Sequence, residues 1–117
     1  MIRLGVRALV AGRMEPGVMA ARLDDLGFLK ALVKQACETT GATILDLRAH
    51  QFKPYGVTVM ALLAESHAAL HTWPEHRSWT FEIFTCGACL PGAACGAIRT
   101  ALPGCSGESV SPVDVPR

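Results

Sequence analysis

Three apolar runs separated by two breaks, lying between Val57 and Phe84, constrain the fold of this chain more than any other feature. Val57–Leu63 is continuous, apolar and short, which suits a buried strand rather than a helix. Glu65-Ser66 interrupts it, Ala68–Thr72 resumes it, and Pro74 stops it. Trp79, Phe81 and Ile83 then alternate with Thr80, Glu82 and Phe84, the period of a strand with one face on a core. Pairing such neighbouring segments produces a largely antiparallel sheet.

The flanks supply the helices. From about Met19 to Thr40, Leu26, Leu29, Val33 and Ala36/Cys37 recur every three or four positions and mark one helical face. Asp24 and Asp25 lie early, Lys30 and Lys34 later, and Gly41 follows, as the helix dipole and a glycine C-cap require. Gly27 weakens the first turn. Ile2–Val10 reads as a first strand with its turn at Gly12–Gly17, and Ala42–Leu47 as a second, with a turn at Pro54-Tyr55-Gly56. Pro91 opens a short helix over Ala93–Leu102 that Pro103-Gly104 closes. The Ser- and Pro-containing tail reads as extended or loose. Strand–helix–strand–strand–strand–helix predicts an α+β two-layer sandwich, with helices on one face of a mostly antiparallel sheet.

Half of the 117 residues are hydrophobic, enough for one domain spanning 1–117 with a real core. A chain this small buries only about two-thirds of its unfolded surface, which favours association with a second copy. Eleven basic and ten acidic residues nearly cancel, and no Lys/Arg run exceeds one residue. That leaves no electrostatic footprint for nucleic acid or an anionic membrane. No stretch of 18 apolar residues spans a bilayer. Gly5, Arg7 and Arg13 break up any signal-peptide core, so a cytoplasmic location is expected. Five cysteines, an odd number, argue against a closed disulfide framework and for reduced thiols.

Chemistry concentrates in one stretch. Ala64-Glu-Ser-His-Ala-Ala-Leu-His71-Thr-Trp-Pro-Glu75, followed by Phe84-Thr-Cys86-Gly87, offers a hydroxyl nucleophile at Ser66, a proton shuttle at His71 and a thiol at Cys86. Simpler readings stand beside these. An isolated Ser66 is an ordinary turn serine, and an isolated His71 a structural histidine. Trp79, Phe81 and Phe84 read as core, Cys37 as a buried small hydrophobe, His50 and His76 as surface or core residues, and Arg3, Arg7 and Arg13 as a solvated edge. Cys86-Gly-Ala-Cys89 has zinc or redox spacing, but no second such pair accompanies it and Pro91-Gly92 follows directly. With Cys95 and Cys105 left over, no metal site is assigned.

The motifs PYGV, ESH, HTWPE and FTCG, in that order between Phe52 and Gly87, resemble the short prokaryotic S-adenosylmethionine decarboxylases. Leu9-Val10-Ala11 and Gly41-Ala42-Thr43-Ile44 extend the likeness over roughly residues 4–87. The resemblance implies a pyruvoyl-dependent enzyme that cuts itself between Glu65 and Ser66, leaving a β chain of 1–65 and an α chain of 66–117. A serine at a strained break can attack the preceding carbonyl and form an ester. Elimination leaves dehydroalanine, and hydrolysis releases ammonia and the pyruvoyl cofactor derived from Ser66.

By the same resemblance His71 is the base for that elimination, and Thr58 stands where the family carries a processing serine. The pyruvoyl carbonyl takes the substrate amine as a Schiff base and acts as electron sink. The thiol of Cys86 is, by the resemblance, the proton donor. Phe52 and His67 lie near the adenine, and Trp73 and Glu75 line the pocket. The implied product serves spermidine synthesis, and the implied assembly is a homodimer of processed αβ protomers with each site built across the interface. Two departures stand out: Ala8 and Gly12 replace a histidine and an acidic residue common in the family's first strand, and Thr58-Val59 replaces serine-glycine. Such changes are compatible with two other readings, an arginine or ornithine decarboxylase on this scaffold and a non-cleaving, non-catalytic homologue.

Overall fold

The computed structural model describes residues 1–17 and 20–117. Its elements run β1 (Ile2–Arg13), a 3-10 turn (Ala20–Asp24), α1 (Leu26–Thr39), β2 (Ile44–Gln51), β3 (Val57–Leu63), β4 (Ser66–Trp73), a second 3-10 turn (Pro74–His76), β5 (Ser78–Thr85), α2 (Pro91–Ala101) and β6 (Cys105–Val115). The strands form one sheet in the order β2-β3-β4-β5-β1-β6, and each of the five junctions is antiparallel. Both helices pack on the same face, α1 over β2, β3 and β4, and α2 over β1 and β5. The chain is the expected α+β two-layer sandwich.

Alternation along the strands decides what each face carries. Val57, Val59, Ala61 and Leu63 of β3, Ala68 and Leu70 of β4, and Trp79, Phe81 and Ile83 of β5 point into the helix layer and are buried. They meet Leu29, Leu32, Val33 and Ala36 of α1 and Ala94, Cys95 and Ile98 of α2. Each large side chain buried there contributes about 1.5–3 kcal/mol. Among the described residues no helix covers the opposite face, where Leu9, Met60, Leu62 and Trp73 stay 41–56% exposed.

Five expectations need correction, the first being that β1 runs on to Arg13, through the Gly12 where a turn is expected to begin. The helix predicted from about Met19 begins at Leu26, because the Asp25 side chain caps it by accepting from Phe28 N–H at 3.0 Å; Met19 itself lies outside the described residues. Its C-terminal end is as expected: Thr40 caps it, and Gly41 at φ +85° donates back to the Glu38 carbonyl. The second strand runs to Gln51, because pairing with β3 continues to the Gln51–Val57 register. The interrupted apolar run is a true hairpin, β3 to β4, with Leu63 opposite Ser66. The tail is not loose. It forms β6, hydrogen-bonded along β1, with ion pairs Arg3–Asp114 and Arg99–Glu108 at its two ends. Pro112 is tolerated because β6 is an edge strand.

Candidate active site

The hairpin closes through a two-residue turn, Ala64-Glu65, with Ser66 directly after it, and the turn is strained. Glu65 has φ +58°, a left-handed conformation that a residue with a Cβ adopts at a cost of about 1 kcal/mol. The next residue, Ser66, opens β4 and is only 8% exposed. Cys86, just past β5, reaches this turn. Its Sγ donates to the Glu65 carbonyl oxygen at 3.4 Å and lies 3.7 Å from Ser66 Oγ. A thiol, a hydroxyl and the carbonyl between Glu65 and Ser66 therefore converge at one strained peptide. The S–H contact polarises the carbonyl that Ser66 would attack, although sulfur hydrogen bonds are individually weak.

His71 is elsewhere. Five positions from Ser66 along β4, it projects from the other face, and at about 3.3 Å per residue it stands roughly 16 Å away along the strand. Its Nδ1 is 2.9 Å from Oγ1 of Thr58, its cross-strand partner. The two line a cavity of about 290 Å³ with Phe52, Tyr55 and Trp73. The His71 ring lies 6.2 Å from that of Trp73. The residues expected to work together thus form two clusters at opposite ends of β4: Glu65, Ser66 and Cys86 at one, Thr58, His71, Phe52 and Trp73 at the other. His67 joins neither closely. It stacks on Phe84 at 6.1 Å, on the open face beside Ser66. Glu75 lines a neighbouring cavity of about 410 Å³ with Asp24, Tyr55 and Pro74.

Residues 16–108 match the family model described as S-adenosylmethionine decarboxylase. The chain belongs to the S-adenosylmethionine decarboxylase family. It is 48% identical over 83 residues to the S-adenosylmethionine decarboxylase proenzyme of Parasynechococcus marenigrum, a match covering 70% of this chain and 65% of that one. The proenzyme of Methanococcus aeolicus is 43% identical over 81 residues, 68% of this chain and 69% of its own. This family member thus spans less than two thirds of the first relative's length. In three dimensions it resembles the crystal structure of the adenosylmethionine decarboxylase from Aquifex aeolicus, with a TM-score of 0.79 at 29% identity, over 97% of this chain and 91% of that one.

Within this family member the departures at Ala8 and Gly12 fall on the core side. Ala8 is fully buried, and a Cβ at Gly12 would lie 2.5 Å from Trp79 Cζ2. Neither lines the cavity of His71. Two residues of consequence carry no signal in the sequence, Gln51 and Thr72, and Asp24, which reads there as an early helix charge, instead bonds Gln51 and Gly56. Among the described residues no three His, Cys, Asp or Glu side chains come together as a metal site, and no helix is long and apolar enough to cross a membrane.

Proposed function

We propose that this chain is a pyruvoyl-dependent decarboxylase of S-adenosylmethionine serving polyamine synthesis, matured by self-cleavage between Glu65 and Ser66. One observation carries the reading: Glu65 is held at φ +58° with Cys86 Sγ on its carbonyl and the Ser66 hydroxyl beside that thiol. Ser66 Oγ adds to the Glu65 carbonyl carbon and the amide nitrogen leaves, so an ester replaces the peptide bond. Removal of the Ser66 α-proton expels the Glu65 carboxylate, and water then replaces nitrogen with oxygen as ammonia departs. The resulting ketone supplies the electron sink for loss of carbon dioxide. Cys86, already at the turn, is placed to return a proton to the product carbon.

The α-proton needs a base, and the imidazole of the same chain stands roughly 16 Å away along β4. A homodimer resolves this. In this reading the open face, with exposed Leu9, Met60, Leu62 and Trp73, receives a second copy, and Thr58 and His71 of one protomer serve the Ser66 of its partner. Phe52 and Trp73 bound the purine, with His67 and Glu75 at the pocket's margins. The five free thiols suit a reducing, cytoplasmic setting.

Intact-mass spectrometry tests the proposal. Purified protein is expected as two fragments, 1–65 and 66–117, the latter with a pyruvoyl N-terminus. Ser66→Ala is expected as one inactive chain, and Cys86→Ala as a partly cleaved protein that decarboxylates poorly. An uncut chain with full activity refutes the proposal. Carbon dioxide release from arginine or ornithine, and not from S-adenosylmethionine, refutes the substrate.

A further inference from the structure

The turn bearing Phe52 and Tyr55 is held from outside by the 3-10 turn that precedes α1. Asp24 Oδ1 accepts from Gly56 N–H at 2.8 Å and from Gln51 Nε2 at 2.7 Å. Gln51 Nε2 also reaches the Gly56 carbonyl at 3.0 Å, which accepts from Phe52 N–H at 2.8 Å. Alongside, the buried Thr72 hydroxyl donates to the Leu23 carbonyl at 2.6 Å and accepts from Val57 N–H at 2.9 Å. Both ends of the turn are thereby tied to Leu23-Asp24, far away in the chain. Bonds to a carboxylate are the strongest of this set.

We propose that Asp24, acting through Gln51 and Gly56, is a positioning residue for the aromatic pocket. It fixes the Phe52–Gly56 turn so that Phe52 and Tyr55 bound the cavity shared with Trp73 and His71. Phe52 and Tyr55 are 48% and 55% exposed, so little packing restrains them. Without the clamp, ordering the turn becomes a cost of ligand binding. Asp24 makes no hydrogen bond to Glu65, Ser66, Cys86, Thr58 or His71, so it acts on affinity and leaves cleavage and turnover alone. The inference rests on the decarboxylase reading for the identity of the ligand.

The test compares Asp24→Ala, Asp24→Asn and Gln51→Ala, using methylthioadenosine, a purine thioether, as the probe. Asn keeps an Oδ1 acceptor for Gly56 N–H; Ala does not. Asp24→Ala is expected to weaken the probe's Kd and raise KM for S-adenosylmethionine about tenfold. Self-cleavage and kcat stay within about twofold, and Gly56 amide exchange accelerates by at least about tenfold. Asp24→Asn restores affinity to within about threefold of wild type, as one retained acceptor predicts. Gln51→Ala moves in the same direction as Asp24→Ala and stands in should that variant fail to fold. Unchanged Kd and KM in the Ala variants overturn the proposal, as does a loss confined to cleavage or kcat, or an equal loss in Asp24→Asn. A wild-type chain that binds the probe but is neither cut nor active sinks the decarboxylase reading, and Kd alone then judges the clamp. A wild-type chain that does not bind the probe overturns the clamp as well.

Discussion

Thr58 Oγ1 stands 2.9 Å from His71 Nδ1, and both side chains project from the sheet face that no helix covers. The contact fixes one ring nitrogen and leaves the other to face whatever docks there. Ser66 points the opposite way in the same protomer. A mixture of subunits separates the two requirements. Co-expressed Ser66→Ala and His71→Ala chains, each inactive alone, are expected to regain about one quarter of wild-type activity, because half of random dimers are mixed and each mixed dimer has one intact site. Activity of the co-purified mixture measures this, and no recovery removes the shared site.

The hydroxyl at position 58 carries its own prediction. Thr58→Val keeps the shape but deprives His71 of its partner, and is expected to slow self-cleavage roughly tenfold, the scale of one lost hydrogen bond. Thr58→Ser should cleave at close to the wild-type rate. A time course of fragment appearance by mass spectrometry distinguishes them, and equal rates in all three proteins exclude the role.

Much of this was legible beforehand, for identifiable reasons. The run Val57–Leu63 coincides with β3 because a strand buried on its inner face and half-exposed on its outer one tolerates apolar residues throughout. The alternation of Trp79, Phe81 and Ile83 names their buried face directly. The tail was illegible because β6 pairs through its backbone while its side chains at 105–112 remain exposed, leaving no period to read. The motif residues stand out in the sequence, but their division between the two ends of β4 does not. Positions 66 and 71 differ by an odd number, and a strand turns that into opposite faces. Asp24, Gln51 and Thr72 carry no local signal for this role, since the bonds that tie the turn to Leu23-Asp24 span 27 to 49 residues.

Gly12 is a packing requirement. A Cβ there would sit 2.5 Å from Trp79 Cζ2, and Trp79, 1% exposed, has no room to retreat. Gly12→Ala is expected to destabilise the fold by about 1–3 kcal/mol. At Gly107, where an added Cβ meets nothing within 4 Å, the same change should be near neutral. Urea midpoints at constant slope compare the two.

Burial pushes the Cys37 thiol up to about 11 from an ordinary 9.0, with Glu38 adding to the effect. The folded state thus keeps its proton while the unfolded chain releases one. This contribution is whole below pH 9 and is lost as pH rises from about 9 to 11, on the order of 2–3 kcal/mol at its limit. Burial raises Cys95 in the same sense. Stability measured by urea from pH 8 to 11 should fall less steeply for Cys37→Ala than for wild type; parallel curves would show that the thiol does not ionise on unfolding.

The strand order has a last implication for a molecule severed ahead of Ser66. Its pieces would be woven rather than stacked: β2 and β3 from the first, β4 and β5 from the second, then β1 from the first and β6 from the second. Three of the five seams, β3–β4, β5–β1 and β1–β6, would join different pieces. Strand β1 would be gripped on both sides by the piece it no longer belongs to, so the nick would free a new chain end without loosening the body that presents it.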